Sequence, residues 1–245
     1  MVIHCIYAEK NMPEIQPTGA NPLKKYFRQA KVYLDLPSKG RFYPEGVLDM
    51  PETGELPIFA MTAKDELTLK TPDALLNGAA TVELIKSCVP NILDPWKMPS
   101  IDLDAVLIAI RIATYGETLE ITTKIPGVGD EKDFQVDLRQ LLNKLTNVDF
   151  AETIEVDNML VHLKPLSYRE FTDSAMKTFE EQRVFRLVND ETIPEEEKLA
   201  RFNESFVKLT NLTVGTMSKS IRAITVDGET VDNPDHIKEF VDNAD

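Results

Sequence analysis

The sequence predicts an α+β fold: short β-hairpins and helices in the N-terminal two thirds, followed by a long antiparallel helical hairpin. Three observations lead there. Short runs with period-two apolar alternation, such as Val32, Leu34 and Leu36, are bounded by glycine, proline or Asx residues, which is the pattern of strands and turns. Between them stand helix signatures with reciprocal caps, Thr62 with Asp65 and Ser167 with Glu170. From Ser167 to Leu212 two consecutive segments carry apolar residues at helical spacing, and neither stripe can be buried alone.

The elements follow in order. Residues 1–22 have Pro17, Gly19 and Pro22 near their end and no periodic pattern, so they read as a flexible leader, with Met12 a second candidate start. An N-terminal α+β domain is expected over 23–150. It opens with the strand in KVYLDLP and continues through the turns SKGRFYPEG and PETG to a second strand, ELPIFAM (55–61). Thr62 caps a helix. TPDALLNG sets Pro72 at the start of another and Gly78 at its end, and AATVELIKSCV forms a further helix stopped by Pro90. DPWKMPS is a proline-punctuated loop around Trp96. DLDAVLIAIRIATYG (102–116) is apolar nearly all round, which predicts a buried central helix ended by Gly116. Arg111 inside it needs a partner, because an unpaired buried charge is costly. ETLEITTKIPGVGDEKDFQVDL reads as two strands joined by a glycine-rich loop, and RQLLNKL as a short helix.

A β-hairpin plus helical hairpin is expected over 151–223. TIEVDNMLVHLKPL turns at Asp157–Asn158, with Val161 and Leu163 alternating against His162 and Lys164. A helix over 167–189 carries Phe171, Ala175, Phe179 and Val184. A second starts at Pro194 with three glutamates favoured by the helix dipole, and its stripe is Leu199, Phe202, Phe206, Leu209 and Leu212. The last segment, 224–245, holds a hairpin with an Asp-Gly turn and a short helix opened by Asn233–Pro234. The pattern stops abruptly at Asp245, as expected of a shortened C-terminus.

Composition excludes several function classes. Acidic residues outnumber basic ones 41 to 27, a net charge of −14, so a nucleic-acid partner is disfavoured; the basic cluster Lys24, Lys25, Arg28 and Lys31 reads as a solvated face. No window approaches roughly eighteen consecutive apolar residues, so no membrane span is expected, and Met1–Tyr7 lacks the basic flank of a signal peptide. Cys5 and Cys88 offer no CxxC pair, and His4, His162 and His236 are solitary, so no metal or cofactor is expected.

The catalytic motifs also fail. LPSKGRFYPEG (36–46) lacks the Lys-Ser or Lys-Thr of a phosphate loop, Pro44 removes an N–H donor, and another turn follows instead of a helix. IPGVGD lacks the third glycine of a dinucleotide fingerprint. The pairs Asp102/Asp104 and Asp65/Glu66 fall at helix N-termini, where acids are expected for electrostatic reasons. No Ser-His-Asp or Cys-His arrangement can be built, so no catalytic residue and no small-molecule substrate are expected.

The blocks YFRQAKVYLDLPSKGRFYP, GELPIFAMTAKDELTLKTPDALLNGAATVELIKSCVPNI, SIDLDAVLIAIRIATYGE and KPLSYREFTDSAMKTFEEQRVFRLVNDETIPEEEKLARFNESF carry a resemblance. Together they resemble the baseplate hub subunit and hub-assembly proteins of T-even-like tailed bacteriophages, of the marine and cyanobacterial phage type. The resemblance runs from Asn21 to the C-terminus, and residues 1–20 have no counterpart in it. It implies a non-catalytic component of the contractile-tail baseplate hub, acting in structure and assembly with other hub and tail proteins. The implied location is the virion, and the host cytoplasm during assembly. A transient hub chaperone that leaves the mature virion is the alternative.

In that setting the loop 36–46 has two readings. Pro37 and Pro44 restrict φ, so Arg41, Phe42 and Tyr43 project from a stiff loop, and with Trp96 they are the residue types that dominate interface energetics. Alternatively the loop is a turn whose aromatics cover a core edge.

Overall fold

The structure, a computed structural model, describes residues 27–70, 77–124, 131–183 and 193–244. The predicted leader, most of the TPDALLNG helix, the glycine-rich loop 125–130 and the C-terminal part of the helix drawn to 189, Val184 included, lie outside the described residues.

The alternation in KVYLDLP builds β1 (Ala30–Leu34), which runs antiparallel to β2 (Leu56–Phe59) with Val32 opposite Ile58 and Leu34 opposite Leu56. These four side chains point inward onto α2 (Ala79–Cys88) and α3 (Leu103–Tyr115), in one apolar core with Leu36, Ile85, Met98 and Ile110. Each such aliphatic contributes about 1.5–3 kcal/mol when fully buried. Thr62 and Asp65 form the expected capping box of α1 (Ala63–Leu69). Arg28 is not on a solvated face. Its guanidinium donates to Ala60 O at 2.6 Å and to Ser87 Oγ at 3.0 Å and lies 3.6 Å from Asp65.

The predicted two strands after α3 are β3 (Thr118–Lys124) and β4 (Glu131–Asp137), which among the described residues pair only with each other. Asp137 then caps α4 (Leu138–Thr146), accepting from the Arg139 and Gln140 amides, and Leu138 and Leu142 turn into the core.

The two remaining hairpins share one sheet. β5 (Thr153–Val156), β6 (Met159–Leu163), β7 (Ile221–Val226) and β8 (Glu229–Val231) stand in that order, all antiparallel, with Val161 opposite Ile224. A lone two-stranded hairpin is marginal in water, and pairing β6 with β7 joins two of them. Residues 223 and 224, between which the sequence reading divides the chain, both lie within β7. The helical hairpin, α5 (Tyr168–Gln182) and α6 (Glu195–Ser220), is inserted between β6 and β7, and α7 (Pro234–Asn243) packs on α6 and β7 with Ile237 buried.

Two expectations need correcting. First, α3 is not buried all round: Leu107, Ile108 and Arg111 are half-buried and Asp104 is exposed. Leu107 and Ile108 pack against the core without being enclosed by it. Second, the stripe on α6 does not all turn inward. Phe202, Leu209 and Leu212 are half-buried, but Leu199 and Phe206 are exposed, as are Phe171 and Phe179 on α5. The seam between the helices is largely polar instead. Ser205 Oγ donates to Glu181 at 2.9 Å, Lys208 lies 3.7 Å from Glu181, and the Ser174 and Thr216 hydroxyls meet at 3.3 Å.

Arg111 lies over the Tyr115 ring at 4.6 Å, yet its Nη1 is buried without a hydrogen-bond partner among the described residues. A cation–π contact contributes about 0.5–1 kcal/mol, whereas an unsatisfied buried donor costs about 1–3 kcal/mol. Arg111→Met is therefore expected to leave stability unchanged or raise it in chemical denaturation; a loss of several kcal/mol would show that the guanidinium is essential.

Candidate partner-binding site

A cleft of about 660 Å³ lies between the loop 36–46, the 94–99 segment and the start of α5. Phe42, Pro44 and Trp96 line it together with Pro165, Lys164 and Arg169. Its walls are set by three local arrangements.

The first is the loop. Lys39 and Phe42 adopt left-handed φ values of 55° and 70°, which side chains other than glycine rarely take without support. The support is Asp102, fully buried, which accepts from the Ser38 amide at 2.7 Å, the Ser38 hydroxyl at 2.6 Å and the Tyr43 hydroxyl at 2.9 Å. Asp102 was expected to serve a helix N-terminus, but it makes no cap hydrogen bond to α3 and holds the loop instead. Burial pushes its carboxyl above the usual range, against the lowering effect of the Ser38 and Tyr43 hydrogen bonds. Burial and the Asp102 charge push the Tyr43 phenol far upward, which keeps it a hydrogen-bond donor.

The second is Trp96, held by the proline-started turn Pro95–Lys97. Its ring stacks on Tyr168 at 5.5 Å and 16°, and the Arg169 guanidinium lies 4.1 Å from its centroid. The third is the backbone around Ser167. Tyr168 N donates to Met98 O at 2.7 Å and Ser100 N to Leu166 O at 2.8 Å, which fastens the start of α5 to the first core. Ser167 and Glu170 complete the predicted capping box. Burial works to raise the Glu170 carboxyl, but the Ser167 amide and hydroxyl, with the Lys164 and Lys219 charges, hold it below the usual range.

Of the four residues singled out from the sequence, the structure brings Phe42 and Trp96 together in the cleft. Tyr43 is half-buried, packed against the core with its hydroxyl on Asp102. Arg41 donates from Nε to Ser38 O at 3.0 Å and pairs with Glu152, while Phe42 meets Phe150 edge-on at 5.5 Å. Sequence reasoning missed Arg169 and Lys164. A single arginine one residue into a helix looks like any solvated position, and nothing local signals that it will cover a distant tryptophan.

Among the described residues no group of three or more His, Cys, Asp or Glu side chains could hold a metal ion. His162 joins a strand ladder, 3.2 Å from the Thr153 hydroxyl and 3.1 Å from that of Thr225. Cys88 is fully buried; burial, then the Asp65 charge, push its thiol up to about 11, which makes it a poor nucleophile. Asp65, the other predicted acid, is held below the usual range although burial opposes this, because Thr62 and Ser87 donate to it and Arg28 lies beside it. No helix among the described residues is long and apolar enough to cross a membrane.

A family profile described as T4 bacteriophage base plate protein matches residues 43–245. The chain belongs to this family. No curated protein and no solved structure matches the chain. As a T4-like phage baseplate protein it is a component of the virion tail, in contact with other tail proteins. The matched range takes in Tyr43, Trp96 and Arg169 and begins just after Arg41 and Phe42, so of the residues that line the cleft of this baseplate protein Phe42 alone precedes it.

Proposed function

We propose that this baseplate protein is a non-catalytic structural part of the hub, assembled through contacts with other hub and tail proteins, without nucleic acid, membrane or small-molecule substrate. The observation that carries the reading is the outer row of α6. Leu199, Phe206 and Met217, spaced by seven and eleven residues, fall on one helix face and are all exposed. Asn203, Thr210 and Thr213 complete that face, so from Leu199 to Met217 it presents no charge although the whole chain is highly charged. Exposed apolar surface of this kind marks a contact site. The Phe42–Trp96 cleft offers a second one, with Arg41 at its edge and Tyr43 as its support. In this proposal the 23–150 unit and the 151–223 segment line the cleft between them, the 151–223 segment also carries the helical face, and the 224–245 segment packs on α6 through α7.

The same uncharged face favours one further reading, a chaperone in the host cytoplasm that covers a partner's apolar surface until the hub closes. Quantitative mass spectrometry of purified virions separates the two. Peptides at a fixed stoichiometry to other baseplate proteins are expected for the structural part. Their presence in hub intermediates from infected cells and absence from virions would establish the chaperone.

A further inference from the structure

We propose that the β3–β4 hairpin is a docking arm that inserts into a groove of another tail protein with an apolar floor and lysine- or arginine-rich sides. The inference rests on the baseplate reading.

The antiparallel register sorts the arm into two faces. Leu119 opposite Val136 and Ile121 opposite Phe134 share one face; Glu120 opposite Gln135 and Thr122 opposite Asp133 share the other, with Asp137 and Glu131 at its ends. Leu119 and Val136 rest on the main core. One pair further out, Ile121 and Phe134 have left that core and are 41% and 42% exposed. The apolar face therefore continues beyond what the described residues cover. Among the described residues neither strand pairs with a third, so there the arm's outer edges carry main-chain donors and acceptors without a ladder partner.

The opposite face decides the occupant. It carries the acids Glu120 and Asp133, which accept from Gln135 at 3.4 Å and Thr122 at 2.6 Å on the same face, while Asp137 at its inner end caps α4. A second copy would bring equal acidic faces together in a chain of net charge −14, where like charges oppose docking. A partner with basic residues flanking an apolar floor satisfies both faces at once. Attraction between such surfaces raises the association rate and weakens with salt.

The test compares two variants of the full chain with wild type: Ile121→Ser with Phe134→Ser, and Glu120→Lys with Asp133→Lys. Each is expressed from the phage genome, and its amount in purified baseplates is measured against another baseplate protein. Both sites are exposed, so melting temperatures should stay close to wild type; should the apolar variant misfold, the charge variant carries the test. Each variant is expected to fall at least about tenfold in occupancy, the equivalent of losing 1.4 kcal/mol of affinity. The arm amides of the isolated wild-type chain should exchange with solvent rapidly and become protected in baseplates. Wild-type occupancy by both variants would overturn the arm. So would a wild-type dimer that both variants abolish, which would make the occupant a second copy, or slow exchange of the arm in the isolated monomer, which would make it a segment of the same chain. Absence of wild type itself from baseplates would overturn the baseplate reading along with the arm.

Discussion

Asp102→Ala is expected to unfold at a much lower denaturant concentration than wild type, with a loss of about 3–5 kcal/mol. The side chain is fully buried and is the shared acceptor for the Ser38 amide, the Ser38 hydroxyl and the Tyr43 hydroxyl. Alanine leaves those donors facing an interior that offers no replacement, and an unsatisfied buried donor costs about 1–3 kcal/mol. The left-handed conformations of Lys39 and Phe42 lose their brace at the same time, so the wall of the cleft should loosen. An unchanged denaturation midpoint would mean that Ser38 and Tyr43 find other partners and that the loop holds itself.

The same residue has a pH signature of defined sign. Its folded pKa lies above the usual 3.8, so the folded chain binds this proton more tightly than the unfolded chain. The associated stability is full below the usual value and is lost as pH rises through the folded one. Asp65 and Glu170 act oppositely: their folded values are lowered, so their contribution is present above the usual carboxylate range and is lost as pH falls through those values. Asp102→Asn should therefore remove the decline on the higher-pH side and keep the acid-side loss. Urea midpoints across mildly acidic pH check this, and an Asn variant with the wild-type slope would refute the assignment.

Gly78→Ala is the second large effect, expected to cost about 2–4 kcal/mol. Gly78 has φ 76°, where any other residue is strained by about 1–2 kcal/mol. A Cβ there would also stand 2.9 Å from the Tyr168 hydroxyl and 3.2 Å from both Trp96 and Thr172. Such overpacking adds about 1–3 kcal/mol, because Trp96 is held between Tyr168 and Arg169 and has little room to shift. The clash lies at the junction of the first core with α5, so the Trp96 fluorescence should change with the stability. Tyr168→Phe removes the nearest atom, and in a double-mutant cycle it should recover part of the loss. Equal losses in the single and double variants would leave backbone strain as the whole cause.

These two sites also show why the candidate surfaces are fastened to their own chain. Asp102 holds the loop of Phe42, and Gly78 admits the Trp96–Tyr168 stack. A pre-set surface loses less conformational freedom on docking than a loose one, so more of its contact energy appears as affinity. The exposed α6 row and the β3–β4 arm are the further surfaces proposed for contact.

What the sequence determined by itself are the features whose causes lie within a few residues. The capping boxes at Thr62 and Ser167, the Asp-Gly turn at 227–228 and the alternation of β1 depend on neighbours in the chain, and each stands where it was read. The tertiary structure alone decided the pairing of β6 with β7 across the inserted helical hairpin, the turn of Asp102 from helix end to loop brace, and the meeting of Phe42 with Trp96. It also decided which apolar residues go inside. Phe206 and Leu199 satisfy helical periodicity as well as Phe202 and Leu209 do, but periodicity defines a stripe and not its partner. Which part of a stripe is covered depends on where the second surface lies, and across the α5–α6 seam that surface is polar. The long-range contacts were illegible because each joins groups that carry no mark of the other until the chain has closed.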